Sequence, residues 1–83
     1  MLEPIKKYDN LNYHVTLYPN RIEITEGNLL GKKSQIIPIR NIASFDIPFA
    51  RPAEVKTNDG KKVMLKLTPV DAKDLQARVM ELM

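Results

Sequence analysis

In several short runs between residues 13 and 67 the apolar side chains of this chain recur at every second position, and from Thr68 onward they recur every third or fourth. A period of two belongs to strands with one buried face, and a period near 3.6 belongs to a helix with an apolar stripe. One switch of period, near the C-terminus, therefore predicts a β-rich body followed by a single helix.

Tyr13, Val15 and Leu17 alternate with His14, Thr16 and Tyr18, and Ile22 and Ile24 alternate with charged neighbours across Arg21–Glu26. Pro19-Asn20 between them is a turn signal, so the two runs read as a hairpin. Gly27–Lys33 reads as a loop. Ser34–Ile39 reads as a third strand that must lie at a sheet edge or bend at Pro38, which has no amide to donate. Ile42–Ile47 gives a fourth strand with Ala43, Phe45 and Ile47 on one face. Pro48–Pro52 is a loop, and Ala53–Thr57 and Lys61–Leu67 flank Asn58-Asp59-Gly60, a hairpin turn of type I′.

Thr68-Pro69-Val70-Asp71 supplies a capping hydroxyl, a proline at the first helical position and an acid in the first turn. Ala72, Leu75, Val79 and Leu82 then form one stripe. The organisation expected is one domain over 1–83, with an N-terminal arm at 1–10, strands within 13–67 and a helix at 68–83. Hairpin-joined strands and a terminal helix make an α+β fold: a small, strongly bent antiparallel sheet or partly open barrel, with the helix as its plug.

The chain has 83 residues and no cysteine, which removes disulfides, thiol nucleophiles and thiolate metal sites from consideration. The absence of cysteine favours a reducing compartment. Residues 1–8 lack the apolar run of a signal peptide, and no stretch approaches the ~20 apolar residues of a membrane span. A soluble, cytoplasmic protein is expected.

Chemistry-bearing patterns are sparse. His14, the one histidine, falls on the outer face of a strand with no acid or serine placed beside it by local sequence, so no catalytic or metal role is assigned to it. Gly27–Lys33 has two glycines and lysines but lacks a Gly-Lys-Ser/Thr ending and leads into a strand instead of a helix, so it is not a phosphate-binding loop. No catalytic, cofactor or metal residues are assigned, no small-molecule substrate is expected, and the chain is read as no enzyme.

The formal charge of +3 gathers in the middle of the chain. Lys32, Lys33, Arg40, Arg51, Lys61 and Lys62 are candidate contacts for an anionic partner, against the plainer and preferred reading that they are solvated strand faces. Nucleic acid would need exposed aromatics for stacking. Tyr13 and Phe45 read as buried, which leaves Tyr18 and Phe49.

One resemblance is carried by Gly31-Lys32-Lys33-Ser34-Gln35-Ile36-Ile37-Pro38-Ile39-Arg40-Asn41-Ile42-Ala43-Ser44-Phe45. An alternating strand pair, a Gly-containing turn, an Ile-Pro-Ile step, a second hairpin and a final helix together resemble a short bacterial pleckstrin-homology-like (PH-like) domain over residues 13–82. The resemblance implies a seven-stranded barrel, where six strands are read directly; a seventh lies within residues 3–8 or the barrel is abbreviated. It also implies a binding or oligomerising module. In such domains early basic loops hold anionic head groups and an apolar tip enters lipid, which would suit Leu29 and Leu30 beside Lys32 and Lys33. The preferred alternative is that these leucines close one end of the barrel.

The function expected is protein interaction or self-assembly, helped by open strand edges and by Met64, Met80 or Met83 at the surface. The second expectation is binding of an anionic surface, lipid or nucleic acid.

Overall fold

The computed structural model describes residues 3–28 and 31–83. It holds seven strands in two antiparallel sheets and one helix. The first sheet has the order β1 (Lys6–Asn10), β2 (Tyr13–Leu17), β3 (Arg21–Asn28), β4 (Gly31–Pro38). A short 3-10 turn, Ile39–Asn41, leads to the second sheet of β5 (Ile42–Asp46), β6 (Ala53–Thr57) and β7 (Lys62–Leu65). The helix α1 spans Pro69–Leu82. The fold is α+β, and the sheets remain separate instead of closing into a barrel.

The inward positions read from the alternation are those that pack. Val15, Leu17, Ile22, Val55 and Leu65 are completely buried between the sheets, together with Leu75 and Val79 of the helix. Thr68 caps α1 by accepting from the Asp71 amide at 3.2 Å, and Pro69 opens the first turn. The helix runs for about 21 Å at 1.5 Å per residue. Its fully buried stripe joins the core cluster formed by both sheets.

Three local expectations are corrected. The loop expected at Gly27–Lys33 is strand on both sides, because β3 and β4 pair continuously from Arg21↔Pro38 to Asn28↔Gly31. Gly27 permits this: a Cβ there would lie 2.3 Å from the Gly31 carbonyl oxygen and 2.5 Å from Lys32 Cα. Leu29 and Leu30, expected at a loop tip, lie outside the described residues. In β5 a register shift between Ile42 and Ser44 puts Ile42 and Phe45 inside and leaves Ala43 exposed. The bulge adds one residue, so strict alternation fails there.

The turn at Asn58-Asp59-Gly60 is not of type I′, which needs positive φ at two central residues. Only Gly60 has one, at 88°. The Gly60 amide donates to the Thr57 carbonyl at 3.0 Å and the Thr57 amide donates to Lys61 at 2.9 Å, so the glycine serves as the left-handed residue of a bulged hairpin. Finally, the N-terminal arm contributes the seventh strand, at Lys6–Asn10.

Candidate functional site

Every backbone N–H and C=O needs a partner, so the outer strands of two separate sheets pose a question of satisfaction. Residues along an antiparallel strand direct their backbone groups alternately to one side and the other. Bonds at the turns fix that alternation. The Tyr18 amide donates to the Arg21 carbonyl at 2.8 Å and the Gly27 amide donates to Asn12 at 3.0 Å, so Arg21, Glu23, Thr25 and Gly27 face β2. Ile22, Ile24 and Glu26 therefore face β4, where they pair with Ile37, Gln35 and Lys33. Lys32, Ser34 and Ile36 point their amides and carbonyls away from the sheet.

Side chains reach some outward carbonyls on β5 and β7, whereas the outward backbone of Lys7 and Asp9 on β1 is met by no group among the described residues. On β5 the outward carbonyl of Phe45 accepts from Gln76 Nε2 of the helix at 2.8 Å. On β7 the alternation set by Thr57 and Lys61 turns Met64 and Lys66 outward. The Met64 carbonyl accepts a long bond of 3.4 Å from the Tyr13 hydroxyl, and the Lys66 carbonyl accepts from Asn10 Nδ2 at 3.3 Å. Beside β1, Tyr8 donates its hydroxyl to Asp74 Oδ2 of the helix at 2.6 Å, and Arg78 Nε donates to the same oxygen at 3.0 Å. Among the described residues, no group reaches the outward backbone of Lys32, Ser34 and Ile36.

The ionisable groups in these contacts carry their marks. Burial, and then the adjoining Asp74 carboxylate, push the Tyr8 hydroxyl up from its ordinary value. Hydrogen bonds from Tyr8 and then Arg78 hold Asp74 below the usual carboxylate range. Burial raises the Tyr13 hydroxyl, and the bond to Glu26 raises Lys66.

A seam separates β4 from β7. One cleft of about 420 Å³ lies between Ser34 and Gln35 on one side and Val63 and Met64 on the other, with Tyr13 and Ile24 as its floor. A smaller one, about 190 Å³, extends past Ile36, Ile37 and Pro38 towards Thr57 and Lys61. Ile36 and Met64, each 59 % exposed, flank this seam as apolar contacts. Pro38 ends the strand and blocks pairing there, as expected for an edge.

Of the basic candidates, Lys32 and Lys33 lie on β4, Lys62 opens β7 and Lys61 precedes it; Lys33 lines the larger cleft of the seam and Lys61 the smaller, so the four are spread along it. All four are exposed. Arg40 sits apart, in the 3-10 turn beside a cleft of about 760 Å³ that includes Arg21, Ile39 and Leu82. Arg51 lies in the β5–β6 loop. His14 does have an acid beside it: the β1–β2 register sets Asp9 opposite, and Nδ1 to Oδ1 is 2.8 Å in an exposed pair. The local sequence hid this contact because the two residues meet only through strand pairing.

Ser34 and Ile36 were not among the sequence candidates. Their signal was available in the spacing from the Pro19-Asn20 turn to Pro38, which sets the parity of β4 once the hairpin is known to be continuous.

Architecture and edge together define the class, a two-sheet α+β domain closed by a C-terminal helix, with the long β4 edge open. No helix among the described residues is long and apolar enough to cross a membrane. No protein-family model matches the chain, and no curated protein or solved structure does.

Proposed function

We propose that this chain is a PH-like, non-enzymatic interaction module that assembles with itself by strand addition along β4. The outward, unclaimed backbone of Lys32, Ser34 and Ile36 carries the reading. An exposed strand edge is a template for another strand, with main-chain bonds for affinity and alternate side chains for specificity. The four-plus-three strand order and closing helix support the PH-like assignment.

The side chains of β4 suit an isologous pair with a second copy. Antiparallel pairing about a two-fold axis at Ser34 sets Lys32 opposite Ile36 and Lys33 opposite Gln35. No lysine then lies directly across from a lysine, an arrangement that would be unfavourable. The three outward residues of each copy would form about six backbone bonds. Met64, across the seam, adds an adaptable apolar contact.

The test is solution mass measured by light scattering at low and high salt. A mass above the 9.5 kDa of one chain, rising with concentration and persisting at high salt, is expected. Ile36→Lys returns the mass to one chain by facing Lys32 with a like charge, while Gln at Lys32, Lys33, Lys61 and Lys62 leaves assembly intact. A second reading draws on the exposure of those four lysines along β4 and the start of β7: binding of an anionic surface, lipid or nucleic acid. A monomer at every concentration, with salt-sensitive binding to anionic vesicles or oligonucleotides, would establish that reading and refute self-assembly.

A further inference from the structure

The β5–β6 loop holds an aromatic ring out of the fold. Phe49 is 98 % exposed, although a side chain of this size ordinarily gains by burial. Pro48 and Pro52 restrict the chain on either side of it. Ala50 adopts φ 60°, in the left-handed region that a residue with a Cβ avoids. The Arg51 amide closes the loop on the Pro48 carbonyl at 3.4 Å. A strained, proline-bracketed loop that displays a phenylalanine is pre-organised for contact, and strain of this kind gathers at binding sites.

Beneath the ring is a cleft of about 620 Å³ with apolar walls that include Ile47, Leu67, Pro69 and Ala72. Its charged lining is of one sign: Arg51, Lys66 and Lys73 contribute and no carboxylate does. Lys66 is paired with Glu26, whereas Arg51 and Lys73 have no ion-pair partner among the described residues. The N-terminus of α1 borders the same cleft at Pro69, with its partial positive charge offset by Asp71 in the first turn, so the cleft's positive charge rests on Arg51 and Lys73.

We propose that this cleft binds an acidic peptide segment of a partner protein, one bulky apolar side chain entering beneath Phe49 and flanking carboxylates meeting Arg51 and Lys73. Aromatic and arginine side chains are the anchors that dominate such interfaces. Charge complementarity selects the occupant: a second copy of a chain with net charge +3 would bring more positive charge to a positive site. Concavity favours a peptide side chain over a bilayer, whose surface cannot follow the apolar walls inward. The site lies on the second sheet and the helix, away from β4, so it stands or falls independently of strand addition.

The probe is an acetylated, amidated hexapeptide, Glu-Asp-Leu-Phe-Glu-Asp, titrated into the isotopically labelled full chain and followed by amide chemical shifts. A second peptide with lysine in place of every acid is the control. Shifts centred on Phe49, Leu67 and Ala72 are expected with the acidic peptide alone. Phe49→Ala should weaken binding roughly tenfold or more, and Arg51→Ala with Lys73→Ala by a similar factor that shrinks as salt rises. The ring makes almost no contact with the fold, so Phe49→Ala should leave the rest of the spectrum in place. No shift at these residues at ~1 mM acidic peptide, a weak limit for specific recognition, overturns the proposal. So does equal binding of the lysine peptide, or binding only to phosphatidylglycerol vesicles.

Discussion

Proline substitutions at two adjacent positions of β4 separate an outward amide from an inward one. Ser34 points its N–H away from the sheet, whereas Gln35 pairs with Ile24 and points its N–H at that residue's carbonyl. A proline at either place imposes the same restriction on φ, so that contribution largely cancels in the difference. Ser34→Pro removes no bond of the single chain, so its cost is confined to the backbone restriction shared by both variants. Gln35→Pro removes a ladder bond worth about 1 kcal/mol and orphans the Ile24 carbonyl at a further cost of about 1–3 kcal/mol. The second variant should therefore be less stable than the first by about 2–4 kcal/mol. For a domain of this size that is a gap of at least about 8 °C in Tm. Thermal unfolding at low protein concentration, followed by far-ultraviolet circular dichroism, measures it in the single chain. Ser34→Pro should at the same time lower self-association, since it deletes a donor at the centre of the proposed pair. Equal destabilisation by the two prolines would refute the assignment of the β4 edge.

Two further outcomes are expected. Leu75 is fully buried in the helix stripe, so Leu75→Ala should cost about 3–5 kcal/mol, a large share of the stability of a small domain; a urea titration showing a loss below about 1 kcal/mol would mean that the helix does not hold the core together. Tyr8 keeps its proton to higher pH when folded than when unfolded, so its contribution is intact below pH ~10 and stability then falls by about 1.4 kcal/mol per pH unit as the unfolded tyrosine ionises. Urea midpoints at pH 9 and pH 11 should differ less in Tyr8→Phe than in the parent; identical differences would remove Tyr8 from the account, leaving Tyr13, which is raised in the same direction.

The physical reason an open β4 matters lies in how β5 and β7 are treated. Phe45 is answered by Gln76, Met64 by Tyr13 and Lys66 by Asn10. These are side chains reaching edge carbonyls from distant parts of the chain. Such contacts blunt an edge without lengthening the sheet. The lysines along β4 are the other natural deterrent to unselective pairing. Their offset from one another in a Ser34-centred pair leaves one register acceptable while penalising others.

What the sequence by itself determined was whatever depends on a few neighbouring residues. The alternation in Tyr13–Leu17 and Arg21–Glu26 set the inward faces, and Thr68-Pro69 set the start of the helix to the residue. Pro38 marked β4 as a strand that must lie at an edge or bend before any partner strand was known. The tertiary structure decided what depends on residues far apart. Gly27, approached by the backbone of Gly31 and Lys32, lets the hairpin run on where local composition read as loop. The bulge after Ile42 turned Ala43 outward, because that shift belongs to the pairing of β5 with β6 and not to either strand alone. The same holds for the site. Whether an amide at Ser34 is taken or open depends on which strand lies on each side of it, and periodicity records a buried face without recording a neighbour.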